Sequence, residues 1–120
     1  YFQFFKSRLA KDGKLLLALP NPASFDANYF EEYWAAYDVP RHIYHFTPST
    51  ISALAEKYGF KLKKSRGLLF DSFYISLLSN EYKTGNKRLV HSFCIGLISN
   101  LRAMLGKPNY SSNLYLFEHA

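Results

Sequence analysis

The chain has 120 residues, 48% of them apolar and 18% aromatic, which is enough for one domain with one core and far from a disordered composition. Its formal net charge is +6, yet no apolar run approaches the roughly 20 residues that span a bilayer, and the N-terminus lacks the regions of a secretory signal. A single cysteine, Cys94, excludes an intramolecular disulfide and a multi-cysteine zinc site; the expectation is a soluble, cytoplasmic protein without a membrane partner.

In chain order, Tyr1-Phe2-Gln3 carries no functional weight, since it reads equally as a tag remnant or as the start of the helix that follows. Phe4, Phe5 and Leu9 fall at near-helical spacing, with Lys6, Arg8 and Lys11 toward the end where cations suit the helix dipole. Asp12-Gly13 predicts a tight turn in which the glycine adopts a positive φ. Leu15 to Leu19 is an unbroken apolar run, the pattern of a strand covered on both faces, and Pro20 to Pro22 ends it.

From Ala23 to Tyr37, aromatic residues recur at spacings of three and four. This predicts a short helix with one aromatic face, capped by Ser24 or Asp26, and such a face is more often core than ligand box. The string Asp38-Val39-Pro40-Arg41-His42-Ile43-Tyr44-His45-Phe46 has no period and mixes charge with rings, as a site loop does. Next, Thr47 caps a helix, Pro48 takes its first position, Ile51, Leu54, Ala55 and Tyr58 form its apolar stripe and Gly59 stops it. Phe60 to Leu69 reads as a strand, and Asp71 caps a helical stretch through Leu78 that breaks near Lys83 to Asn86. From Lys87 to Leu105 a stripe including Leu89, Phe93, Cys94, Leu97, Leu101 and Leu105 predicts a long amphipathic helix that buries Cys94. Leu114 to Phe117 makes a last short strand, paired antiparallel with Phe60 to Leu69.

Sharper chemical motifs are few. His42-x-x-His45 lacks a third metal ligand, so no metal site is expected. Neither Gly-x-Gly-x-x-Gly nor Gly-x-x-x-x-Gly-Lys-Ser/Thr occurs. Lys61, Lys63, Lys64 and Arg66 alternate along a strand, and Lys83, Lys87 and Arg88 surround Gly85. These clusters carry no nucleic-acid signature, and a lysine-rich edge discourages strand pairing, so nucleic acid is not an expected partner.

The succession Leu9-Ala-Lys-Asp-Gly-Lys-Leu-Leu-Leu-Ala-Leu-Pro-Asn-Pro, then Tyr33-Trp34, then Asp38-x-Pro40-Arg41-His42-x-Tyr44-His45-Phe46-Thr47-Pro48, then Leu54-x-x-x-Tyr58-Gly59-Phe60 resembles the C-terminal half of class I S-adenosylmethionine-dependent methyltransferases, over roughly residues 4 to 70. The resemblance implies an α/β, partial Rossmann-like fold: a central strand, helices and a terminal antiparallel strand pair, forming a single partial domain over residues 1–120 with a helical insertion at about 71–106. In that family a glycine-rich loop and an acidic residue hold S-adenosylmethionine. Both would precede Tyr1, so no cofactor-binding residue is expected here and S-adenosylmethionine belongs to the full-length protein.

The function implied is the acceptor side of a methyltransferase, inactive alone and acting on a small-molecule methyl acceptor. Its expected partners are the missing N-terminal half-domain or a second copy through the exposed sheet edge. Loops after parallel strands shape acceptor pockets, which points to Pro20, Asn21 and the Asp38 to His45 loop. His42 or His45 is the candidate catalytic base, Arg41 a clamp for an acidic group, and Tyr33, Trp34 and Tyr44 the walls, with Asn21 and Asp38 also substrate-binding. Against these roles, Arg41 pairs with Asp38 and the histidines pin the loop to backbone. The alternative function is a non-catalytic basic and aromatic binding module for a protein or nucleic-acid partner, recognised by salt-sensitive binding to nucleic acid or anionic lipid.

Overall fold

The computed structural model describes all 120 residues. Helix α1 (Phe2–Arg8) leads into strand β1 (Lys14–Pro20), followed by the short helix α2 (Phe25–Phe30) and two single 3-10 turns, Glu31–Tyr33 and Ala35–Tyr37. After the irregular segment come helix α3 (Pro48–Lys57), strand β2 (Phe60–Gly67), helices α4 (Asp71–Thr84) and α5 (Leu89–Leu105), and strand β3 (Ser112–His119). The architecture is α/β, with one three-stranded antiparallel sheet in the order β1-β3-β2.

The expected terminal pair is present, and β3 is longer than its apolar run because Ser112, Asn113, Glu118 and His119 continue the ladder. It takes the centre of this sheet, which leaves β1 at an edge. The strand is also not covered on both faces: Leu15 is buried, whereas Leu16 is 58% exposed. Alternate residues of a strand point to opposite faces, and only one face of this sheet is covered. There Leu15 and Leu17 stand opposite Phe117 and Tyr115, and α1 and α3 lay Phe2, Ile51 and Ala55 over them to make the main core.

Local chemistry explains the element ends. Thr47 Oγ1 accepts from Thr50 N while Thr50 Oγ1 accepts from Thr47 N, a reciprocal capping box with Pro48 at the first helical turn. Gly59 ends α3 at φ +84°, a conformation that costs glycine little. Gly13 differs from expectation, because its φ is not positive. It is small for another reason: a Cβ there would lie 2.7 Å from Leu9 Cγ and 2.9 Å from Ala10 O. The expected Ala23–Tyr37 helix stops at Phe30, where Glu31 turns to φ 52°. Ser24 caps it by accepting from Ala27 N, and Asp26 is used otherwise. Asp71 opens α4 without a side-chain cap, and the helix continues six residues past the expected Leu78, to Thr84.

The helix pair α4–α5 overturns the most periodic expectation of the sequence. Residues packed inward along α5 are Ser92, Ile95, Gly96, Ser99, Asn100 and Ala103, and Ser72, Ser76, Ser79 and Asn80 are buried on α4. Small residues bring the two backbones close, and several of their polar atoms find partners across the seam, although Ser76 Oγ and Asn100 Oδ1 have none. Ser72 Oγ donates to Gly96 O at 3.1 Å, Asn80 Nδ2 to Ser92 Oγ at 2.7 Å, and Asn100 Nδ2 to Leu69 O at 2.8 Å. The apolar stripe of α5 consequently faces outward, and Cys94 is exposed rather than buried.

Candidate functional site

The segment between the second 3-10 turn and α3 starts from Asp38, whose left-handed backbone (φ 43°, ψ 45°) turns the chain away from the Ala35–Tyr37 turn. Aspartate tolerates that region better than most residues. His42 N donates to Asp38 O at 2.9 Å, closing a turn around the cis Val39–Pro40 peptide. The turn folds Arg41 and His42 back onto the Asp38 carboxylate: Arg41 Nε lies 3.1 Å from Oδ1 and His42 Nε2 lies 3.7 Å from Oδ2.

These three side chains line one open cavity of about 380 Å³. The carboxyl end of β1 (Ala18 to Pro20) and Leu68 after β2 form its floor, and α4 supplies Asp71, Tyr74, Leu78 and Tyr82 along one side. Asp38, Arg41 and His42 therefore meet Asp71 and Ser112 in a hollow whose remaining lining is aliphatic or tyrosine, the mixture of a small-molecule site.

The remaining candidates lie elsewhere. Asn21 is fully buried, its Oδ1 accepting from Ala23 N at 3.0 Å and its Nδ2 donating to Asn109 Oδ1 at 3.3 Å, so it holds the chain after β1 in place. Trp34 is also buried; its indole N–H donates to Asp26 Oδ2 at 2.7 Å and its ring packs with Phe30 and Ile75 in a second core. Both side chains are sealed from a small-molecule acceptor. Tyr33 is part-exposed and does not line the cavity. Tyr44 borders a separate apolar hollow of about 640 Å³ between α1 and α3. His45 Nε2 lies 2.8 Å from Tyr37 O; a carbonyl only accepts, so this ring nitrogen carries the proton and donates. That bond pins the loop, and it occupies one of the two nitrogens a base would use.

Residues 1–65, more than half of the chain, match the family model described as a methyltransferase domain. The chain belongs to the methyltransferase domain family. No curated protein matches it. The match ends within β2, so it takes in β1, the Asp38–His45 loop and α3 but not the α4–α5 pair. The methyltransferase-family segment thus supplies the β1 part of the floor and the Asp38, Arg41 and His42 side chains, while Leu68 and the α4 wall lie outside the matched residues.

Membership in a methyltransferase family implies S-adenosylmethionine, but the residues of this chain do not form a cradle for it. A nucleotide cradle of this kind needs a glycine-rich turn between a strand and a helix N-terminus. Here the turn after β1 is Asn21-Pro22-Ala23-Ser24, and the two glycines at positive φ, Gly59 and Gly85, both close helix C-termini.

Sequence reasoning missed the α4 contribution to this cavity. Tyr74 and Tyr82 sit in a segment read as an insertion, eight residues apart on one helix, and no motif marks them. Asp26 was visible only as a candidate cap.

Proposed function

We propose that this methyltransferase-family chain is the acceptor side of an S-adenosylmethionine-dependent methyltransferase, with the methyl-donor site formed by chain preceding Tyr1. The observation that carries the reading is the convergence of Asp38, Arg41 and His42 on one hollow at the carboxyl end of β1, within the residues matched to the family. The free edge of β1 supports a preceding half-domain of a partial Rossmann-like sheet, because that edge has no strand partner and Leu16 stands exposed on the uncovered face.

In this reading Arg41 attracts an acidic group of the acceptor, and His42 accepts a proton from the acceptor's hydroxyl or amine, a role suited to imidazole. Asp38 lies on the Nε2 side of the ring and stabilises the imidazolium formed. Tyr74 and Tyr82 offer apolar rings with hydroxyl ends to an acceptor of small-molecule size. His45 serves as a loop pin rather than a second base.

The test is calorimetric titration of S-adenosylhomocysteine into this chain and into the same protein extended upstream by about one half-domain, a span taken from ordinary domain sizes. Binding to the extended protein alone is the expected result. Binding to neither overturns the cofactor assignment.

A further inference from the structure

The outward face of α5 is apolar along its whole length. Val90, Phe93, Leu97, Leu101, Met104 and Leu105 all point to solvent, from 40% exposed at Leu97 to 88% at Leu105. A helix of 17 residues is about 25 Å long at 1.5 Å per residue, so the face is a strip rather than a spot. Water-exposed apolar area of this extent on a soluble fold marks an interaction surface.

Charge says what kind. From Tyr82 to Phe117 there is no aspartate or glutamate, while Lys83, Lys87, Arg88, Arg102 and Lys107 are distributed about both ends of α5. None of the five is in a salt bridge. Arg102 and Lys83 lie over the rings of Phe25 and Tyr29, at 4.6 and 5.8 Å. Lys87, Arg88 and Lys107 are exposed at the two ends of the strip.

We infer that α5 docks this protein onto an anionic lipid bilayer, lying in the plane of the surface with Phe93, Leu97 and Leu101 among the acyl chains and the flanking cations among the headgroups. An apolar helix face with cations at its margins is the pattern of interfacial binding, and each cation near an anionic surface adds to the attraction. Lying on a bilayer is distinct from spanning one, and no helix here is long and apolar enough to span.

A second copy of the chain fits the charges poorly. Pairing two α5 faces antiparallel sets Lys87 and Arg88 against Arg102 and Lys107, and pairing them parallel sets Lys87 and Arg88 against themselves. Like charges meet in either case and α5 itself carries no carboxylate, which disfavours the contact. Nucleic acid would want cations and rings along the strip, where Phe93 is the one aromatic residue.

The inference rests on this face and its charges, not on the methyl-transfer reading, and Cys94 makes it measurable. As the single cysteine, exposed on the strip, it accepts an environment-sensitive fluorophore without any substitution. The labelled chain is mixed with phosphatidylcholine vesicles, with or without about one-third phosphatidylglycerol, an anionic fraction that sets a surface potential. The expected result is a blue-shifted, brighter emission and co-sedimentation with the anionic vesicles, weakened at least about tenfold without the anionic lipid or at high salt. Phe93→Ser with Leu105→Ser, two exposed positions, should weaken partition by about tenfold or more at unchanged circular dichroism, and Lys87→Glu with Arg88→Glu should do the same by removing charge alone. Equal partition to both vesicle types, or insensitivity to both double variants, overturns the inference. So does a blue shift in the absence of vesicles accompanied by a dimer in light scattering, which assigns the face to a second copy.

Discussion

The Trp34 indole donates to Asp26 Oδ2 at 2.7 Å, and the same carboxylate accepts through Oδ1 from Ser99 and from Ser111, each at 2.6 Å. Asp26 is therefore a buried junction joining α2, the 3-10 segment, α5 and the approach to β3. Three donors on one carboxylate offset the cost of burying it.

Removing that acceptor leaves three buried donors without a partner. Asp26→Ala should destabilise the fold by about 3–5 kcal/mol, and Asp26→Asn by about 1–3 kcal/mol because the amide keeps one accepting oxygen. Urea midpoints give the magnitude. Trp34 is the single tryptophan, so its emission should shift to longer wavelength in Asp26→Ala as the second core loosens. An alanine variant with a wild-type midpoint and emission would show that the junction does not hold the helices together.

What the sequence made legible follows from which signals are local. The Thr47 cap, Pro48 and Gly59 specify α3 within one stretch of chain, and the Leu15–Leu19 run marks β1 without help from elsewhere. The direction in which α5 faces is not local. Its period identifies two stripes, one of large apolar residues and one of Ser92, Gly96, Ser99 and Ala103, and hydrophobicity alone selects the first for burial. Close packing against Ser72, Ser76 and Asn80 of α4 selects the second. Trp34 escaped for a similar reason, since its partner Asp26 lies eight residues away and reads locally as a helix cap. The Asp38–Arg41–His42 cluster was legible because all its members sit within five residues.

Gly96 tests the small-residue seam. A Cβ at this position would lie 2.7 Å from the Phe73 ring and 3.0 Å from Phe73 N and Cα, so α4 and α5 would have to part by a few tenths of an ångström. Gly96→Ala gains up to about 1 kcal/mol in helix propensity, but overpacking against backbone costs about 1–3 kcal/mol. The expected outcome is a net loss of stability in thermal or chemical unfolding. A net gain would mean that the seam has room the structure does not show.

His91 should make stability depend on pH. Burial, then Arg88 and Lys83, hold its imidazole below the ordinary histidine value. The geometry agrees: Asn80 Nδ2 lies 3.0 Å from Nδ1 and donates, so Nδ1 is unprotonated, and Nε2 carries the proton beside Tyr29 Oη at 2.9 Å. A group whose folded pKa is depressed takes up protons more readily unfolded than folded. Its contribution is therefore complete above the unfolded value, about 6.5, and is lost as pH falls through the folded one. Melting temperature should fall from pH 7 toward pH 5, and His91→Gln should flatten that slope relative to wild type. Parallel slopes in the two proteins would assign the pH dependence to other groups.

The Asp38 cluster should separate stability from activity. Arg41 and Asp38 form an exposed pair, with side-chain exposures of 83% and 33%, and such pairs contribute about 0–1 kcal/mol. Arg41→Ala and His42→Gln should then leave the urea midpoint nearly unchanged. In the upstream-extended protein, His42→Gln should lower kcat by about 10²–10⁴, the range for loss of a general base, whereas Arg41→Ala should act mainly on the acceptor KM. His45→Gln is the internal comparison: loss of the bond to Tyr37 O should loosen the loop and raise KM without the large fall in kcat. If the His42 and His45 variants lose activity equally and both unfold earlier, the cluster is a loop clasp and the base lies elsewhere.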